Sequence, residues 1–191
     1  MQRISSVAPA SATGRVRELF DQLEQAFGAV PNTAQVMANS PAVLESFVAF
    51  ANAMSGVGIG GKLHNQVKLS TSETNACEYC TSILSAVAPS AGLSADDVVA
   101  GRTASADDAR TDAALKFAAA VLDTGGNVSD AQLQAVRDQG FGDAEIVEIV
   151  TSVVLGCFTN FLNNVADTEL DVPAAGPVGQ ACASGACGVA S

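Results

Sequence analysis

Cys77-Glu78-Tyr79-Cys80 sets two thiols three residues apart at the predicted start of a helix. Unpaired amides and the helix dipole at such a position stabilise a thiolate and can depress its pKa, so the pair is suited to cycling between dithiol and disulfide. Two blander readings stay open: C-x-x-C also furnishes half of many zinc sites, and two cysteines can be simply small buried hydrophobes. Zinc needs two further ligands, and the candidates are scattered. His64 is the only histidine, Cys157 lies in a distant apolar segment, and Cys182 with Cys187 lies near the C-terminus. No metal or other cofactor is therefore expected.

The residues around the pair are auxiliary candidates. Glu78 could act as a base through water, although a solvated first-turn carboxylate is the simpler account. Tyr79 reads as a packing residue that could also hydrogen-bond within the site. Cys157 reads as core. Cys182 and Cys187 form a second pair in a run of small residues, and such a pair can pass electrons to a buried one by thiol–disulfide exchange. It could equally close a local disulfide, bind adventitious metal, or have no role.

The elements that must position these residues read as helices. Alanine fills 35 of 191 positions, with eight Phe, one Tyr and no Trp, a composition for thin, closely packed helices rather than a sandwich or barrel. From Thr13 to Phe27 the residues Val16, Leu19, Phe20, Leu23, Ala26 and Phe27 recur with helical period, and Gly28 follows. Ser40-Pro41 opens a helix through Met54. Helices are expected from about Lys62 to Ser72 and from about Cys77 to Ala88, then from Ser94 over 95–100 and from Ser105 over 106–123. Ser129 with Gln132 forms a capping box for a helix to Gln139. Asp143 is expected to cap the longest, through about Ala166, whose core IVEIVTSVVLGCF is β-branched enough that a buried strand competes. The expectation is one all-α domain over 1–172, followed by a flexible tail over 173–191.

Composition excludes several classes. Hydrophobic residues make up 48% and charged ones 15%, so the chain is not a disordered type. A net charge of −11 argues against nucleic acid and against acidic membrane surfaces. The stretch from Ile146 to Leu162 is interrupted by Glu148, Thr151, Ser152, Thr159 and Asn160, so no membrane span is expected. The first residues, MQRISSVAPASATGR, lack a continuous apolar run of signal-peptide length, and a soluble cytoplasmic protein is expected. Cysteines in that reducing compartment read as redox or metal chemistry rather than staples.

Over roughly 31–173 the chain resembles the AhpD-like alkyl hydroperoxidases, grouped with the carboxymuconolactone decarboxylases. A helix before the cysteines, the run NACEYCTS, and the ending FTNFLNNVADTELDVP carry the likeness. The resemblance implies an all-α fold, helix-mediated trimers or trimer-derived hexamers, and a peroxide attacked by the Cys80 thiolate, with Cys77 resolving the sulfenic acid to a disulfide. The family's pattern also has a glutamate twelve residues before the first cysteine and a histidine four after the second, forming a relay that draws the proton off the attacking thiol. Here those positions hold Asn65 and Leu84, neither of which accepts a proton usefully at pH 7. His64, one place from the glutamate position, is rotated about 100° from it on a helix and reads as an exposed or partly packed residue near Lys68. With the relay missing and Glu78 adding like charge, Cys80 is expected to have a near-normal or raised pKa and to react only at alkaline pH.

Three functions compete on this reading. The first is a thiol-dependent peroxidase or disulfide oxidoreductase, of the alkyl hydroperoxide reductase type, acting on a small peroxide with a thiol reductant protein. The second is a catalytically decayed relative acting as a binding or assembly protein. The third is a cofactor-free, decarboxylase-like lyase, for which a lone misplaced His64 leaves little acid–base chemistry.

Overall fold

Apolar residues recurring every three to four positions become nine α-helices among residues 2–178, the part of the chain that the computed structural model describes. They are α1 (Gly14–Phe27), α2 (Asn32–Met37), α3 (Pro41–Met54), α4 (Gly60–Thr74), α5 (Glu78–Val87), α6 (Ala95–Thr103), α7 (Ala109–Thr124), α8 (Asp130–Asp138) and α9 (Asp143–Ala166). Short 3₁₀ turns lie at Pro9–Ser11 and Ala88–Ala91. No strand occurs among the described residues, so the β-branched core of α9 is helical and the fold is all-α. Cys182 and Cys187 lie outside the described residues.

The central element is α4, which packs against α5, α6, α7 and α9. Two glycines let it be surrounded so closely. A Cβ on Gly156 of α9 would lie 2.9 Å from Thr71 Cγ2, and one on Gly101 of α6 would lie 3.0 Å from Leu69 Cβ. Either addition would push a helix off α4. The main core forms where Val67 of α4 meets Leu115 and Phe117 of α7 and Ile149 and Val153 of α9. A second cluster joins α1, α2 and α3 through Leu19, Phe20, Met37 and Leu44.

Local chemistry sets most helix ends. Ser94 with Asp97 and Ser129 with Gln132 form capping boxes at α6 and α8. Two expected starts shift. The long α7 begins at Ala109, because Asp108 accepts from the Thr111 amide at 2.8 Å, while the expected cap Ser105 sits in a loop whose next amide, Ala106, is held by Asp112. The cap of α9 is Gly142, whose amide donates to the Glu145 carboxylate at 3.0 Å, and Asp143 is the first helical residue.

By length and composition α9 is apolar enough to cross a bilayer. Its inner face, though, carries Ser152, Asn160 and Asn163, all buried against the rest of the fold, which is how the core helix of a helical domain looks.

Candidate active site

The turn from α4 into α5 builds the site. Residues 75–77 end α4 with bonds from Asn75 N to Thr71 O (3.0 Å), Ala76 N to Glu73 O (3.0 Å) and Cys77 N to Ser72 O (2.9 Å). Ala76 takes φ +48°, a left-handed conformation that costs a non-glycine residue about 1 kcal/mol. The turn places Cys77 as the N-cap of α5 rather than within it, and its sulfur accepts from the Cys80 amide at 3.4 Å. Cys77, Tyr79 and Cys80 are buried together, with Ile83 and Leu170 packed against them.

The far end of α9 supplies polar partners. Asn163 Nδ2 donates to Cys80 Sγ at 3.3 Å. Asn160 Nδ2 donates to Ser72 Oγ at 3.0 Å while its Oδ1 accepts from Asn75 Nδ2 at 3.0 Å, and Asn164 Nδ2 holds the Asn75 carbonyl at 2.9 Å. The α4–α5 turn is thus pinned to α9 by three asparagines.

These contacts split the two thiols. A hydrogen bond from the Cys77 thiol, helped by donors at Asn163, Asn160 and Thr159 and opposed by burial, lowers the Cys80 pKa to about 6. Cys77 is pushed up, first by that same bond to Cys80, then by burial and by the Cys80 charge. The expectation of a near-normal or raised Cys80 is therefore corrected. The donors come from the N-cap and from α9. The like charge expected from Glu78 is exposed to solvent, and Glu73, the other carboxylate at this turn, is ion-paired with Arg102.

His64 also differs from expectation: it is 6% exposed, with Nδ1 2.8 Å from Ser152 Oγ. Ser152 donates its own proton to the Glu148 carbonyl at 2.7 Å, so it accepts from His64, whose Nδ1 carries the hydrogen and whose Nε2 keeps its lone pair. Burial, and secondarily the Lys68 charge, lowers the His64 pKa to about 4. The unfolded imidazole binds a proton near 6.5 and the folded one only near 4, so stability is lost as pH falls through that window. The difference corresponds to about 3 kcal/mol, and His64→Gln, which keeps a donor for Ser152, is expected to remove that part of the acid sensitivity. Urea unfolding of both proteins at pH 7 and at pH 4.5 checks this; equal acid losses would refute it.

One turn beyond His64 on α4 is Lys68, whose pKa is lowered by burial, with Cys80 raising it in part. Tyr79 serves a different purpose from the thiols beside it. Its hydroxyl donates to Asp171 and accepts from the Thr33 amide at 3.2 Å, while the Asp171 carboxylate also accepts from Asn32 N at 3.1 Å. The tyrosine latches the chain after α9 onto α2 and α5.

Of the remaining candidates, Asn65 spends its amide on the Gly61 carbonyl, and Leu84 packs on Leu69, Ala88 and Leu93, so neither bonds a thiol. Cys157 is half-buried and accepts from Asn75 Nδ2 at 3.6 Å. Among the described residues no group of three His, Cys, Asp or Glu side chains could hold a metal ion.

Sequence reasoning missed Asn160, Asn163 and Lys68. The signal for the asparagines was present: two amides three residues apart on the core-facing side of an apolar helix need buried polar partners.

A cavity of about 260 Å³ opens at the turn, lined by Ser72, Glu73, Cys77, Thr81, Arg102 and Ala175 among others, and Cys80 is not part of its wall.

No protein-family model matches the sequence, and no curated protein does. Solved structures do. The alkylhydroperoxidase AhpD core of an uncharacterized peroxidase-related protein from Ralstonia eutropha JMP134 superposes with TM-score 0.79 at 21% identity, over 89% of this chain and 92% of that one. An uncharacterized peroxidase-related protein from Silicibacter sp. TM1040 gives TM-score 0.73 at 20% identity, over 88% and 94%. A cysteine-to-alanine variant of the debrominase Bmp8 in complex with 2,3,4-tribromopyrrole gives 0.76 at 19%, over 90% and 93%. Nearly complete coverage in both directions, with nine helices and no strand among the described residues, identifies the architecture of this chain as the all-α AhpD-like fold.

Proposed function

We propose that this protein is a thiol-dependent peroxidase, or a closely related disulfide oxidoreductase, in which Cys80 is the nucleophile and Cys77 the resolving thiol. One observation carries the reading: the Cys77 thiol and Asn163 both donate to the buried Cys80, which lowers its pKa to about 6. Structural cysteines gain nothing from such donors, which is why the catalytically decayed alternative is the weaker one. The lyase alternative loses its acid–base group, since His64 is neutral and committed to Ser152.

In the proposed cycle the Cys80 thiolate attacks the terminal oxygen of a hydroperoxide. The O–O bond breaks, an alkoxide leaves with the electron pair and takes a proton, and Cys80 becomes a sulfenic acid. Cys77 then attacks the sulfenic sulfur and water leaves, giving the Cys77–Cys80 disulfide. A thiol reductant protein, acting in a reducing compartment such as the cytoplasm, restores the dithiol. No metal or cofactor takes part in these steps.

The same dithiol chemistry would serve a halogenated pyrrole, the kind of ligand bound in the Bmp8 structure. A homo-oligomer, a trimer or a hexamer built from trimers, belongs to this reading. Exposed Val147, Val154, Phe161 and Val165 on one side of α9 support it, because a monomer rarely leaves such a stripe uncovered.

The test is direct. Reduced protein given one equivalent of hydrogen peroxide or an organic hydroperoxide, then alkylated and digested, is expected to show a Cys77–Cys80 bridge by mass spectrometry. Thiols that stay reduced with every peroxide, but bridge on adding a bromopyrrole, would move the assignment to dehalogenation. Oxidation at Cys157 alone would refute the site.

A further inference from the structure

We propose that the cavity between α4, α6 and the start of α7 binds a linear aliphatic polyamine, whose ammonium N–H groups meet Gln66 and a ring of aspartates. Its lining and that of the cavity at the thiol turn have no residue in common.

An unsatisfied acceptor is the first argument. The cavity has a volume of about 500 Å³, within the range of small-molecule sites, and Gln66 of α4 forms part of its wall. A Cβ on Gly101 of α6 would lie 3.1 Å from both Cα and O of Gln66, so α6 covers that backbone and the side chain is what reaches the cavity. Gln66 is 1% exposed. Its Nε2 donates to the Asp97 carbonyl at 3.1 Å, and its Oε1 is buried without a partner among the described residues. A buried acceptor left without a donor is costly, and an N–H group entering the cavity removes that cost.

Charge is the second. Asp96, Asp97, Asp107 and Asp108 line the cavity against a single cation, Lys62. Two of the four have local duties: Asp97 closes the capping box of α6, and Asp108 caps α7. Asp96 and Asp107 are exposed, and nothing among the described residues bonds either carboxylate. Lys62 shows what such a ring accepts, because its Nζ lies 2.8 Å from Asp97 Oδ1. No group of three His, Cys, Asp or Glu side chains among the described residues could hold a metal ion, so the ring suits an organic cation.

The rest of the wall fixes the kind of cation. Val99, Ala100 and Ala106 add an aliphatic surface. A polyamine matches this composition: ammonium groups for the two uncommitted carboxylates, an N–H for Gln66 Oε1, and methylenes for the aliphatic wall.

Isothermal titration calorimetry of the full chain at low ionic strength, with spermidine as the probe, tests the site. Spermidine is expected to bind one per chain. Gln66→Leu, and separately the pair Asp96→Asn with Asp107→Asn, are each expected to weaken binding by about tenfold or more. The pair Glu24→Gln with Asp123→Asn removes the same charge from exposed positions elsewhere and is expected to change binding less than about twofold. Putrescine is expected to bind about tenfold more tightly than its bis(trimethylammonium) derivative, which has equal charge and no N–H, and more tightly than Mg²⁺. Because Asp96 and Asp107 are exposed, their variant reports on binding even where Gln66→Leu fails to fold. The proposal is overturned if spermidine does not bind, if the distant pair weakens binding as much as Asp96→Asn with Asp107→Asn, if a folded Gln66→Leu binds as well as wild type, or if the quaternary derivative or Mg²⁺ binds as tightly as putrescine.

Discussion

Cys80→Ser is expected to reduce peroxide consumption by a factor on the order of 10³ or more, because the substitution removes the attacking atom itself. Cys77→Ser is expected to behave differently. A serine hydroxyl at the N-cap still donates to the Cys80 sulfur, so the first attack survives and one equivalent of peroxide is consumed. The cycle then stops, since no resolving thiol remains, and Cys80 accumulates as a sulfenic acid that dimedone traps. Stopped-flow consumption of peroxide, followed by mass spectrometry of the dimedone adduct, separates the two variants. The reverse outcome, with Cys80→Ser active for one turnover and the adduct on Cys77, would exchange their roles. The buried donors converge on Cys80, and the structure offers Cys77 none beyond the amide of Cys80 and Asn160, which is why the assignment runs in this direction.

Much of the fold was legible in the sequence because its helices are marked locally. The apolar period of Val16, Leu19, Phe20 and Leu23 and the capping pairs Ser94–Asp97 and Ser129–Gln132 each need only neighbours within a turn or two to take effect. Starts were lost where two polar residues competed. Ser105 and Asp108 are both good caps, and the choice was made by Asp112 folding back onto the Ala106 amide, a contact that short-range pattern does not announce. The helical state of α9 was a tertiary decision too. Its β-branched run packs against α4 through Gly156, and only the glycine hints at that close approach.

The site was legible in part. The thiol pair and its place at a helix start followed from spacing, but the pKa of Cys80 did not, because Cys77 donates to it only once the turn sets that thiol at the N-cap, and the other donors lie about eighty residues away. Asn163 is separated from Cys80 by 83 positions, and Ser152 from His64 by 88. A reading limited to one turn on either side of the cysteines sees Glu78 and Leu84 and infers an unassisted thiol. The helix that supplies the missing donors enters only when the chain folds.

Those donors make a second large effect measurable. With its pKa at about 6, Cys80 is expected to be half thiolate near pH 6 and about nine-tenths thiolate at pH 7, where an ordinary thiol is ionised to only a few per cent. Asn163→Leu removes one donor at nearly constant volume. It also removes Asn163 Oδ1, which is buried without a partner, so the fold should tolerate the change. The midpoint is expected to rise by about one pH unit, leaving about a tenth of Cys80 ionised at pH 6 instead of half. Ultraviolet thiolate absorbance in a Cys157→Ser, Cys182→Ser, Cys187→Ser background reads this, and an unmoved midpoint would show that the N-cap thiol alone sets the ionisation. Reaction rates should move less than the titration does. Intrinsic nucleophilicity falls as a thiol becomes more acidic, with a Brønsted slope of about 0.4–0.5, so the roughly thirtyfold gain in thiolate at pH 7 leaves only about a twofold gain in attack. Leaving ability, by contrast, improves with every increment of acidity. The donors around Cys80 therefore favour its departure from the disulfide more strongly than its attack on peroxide, and Asn163→Leu is expected to slow reduction of the Cys77–Cys80 bridge by a larger factor than its formation.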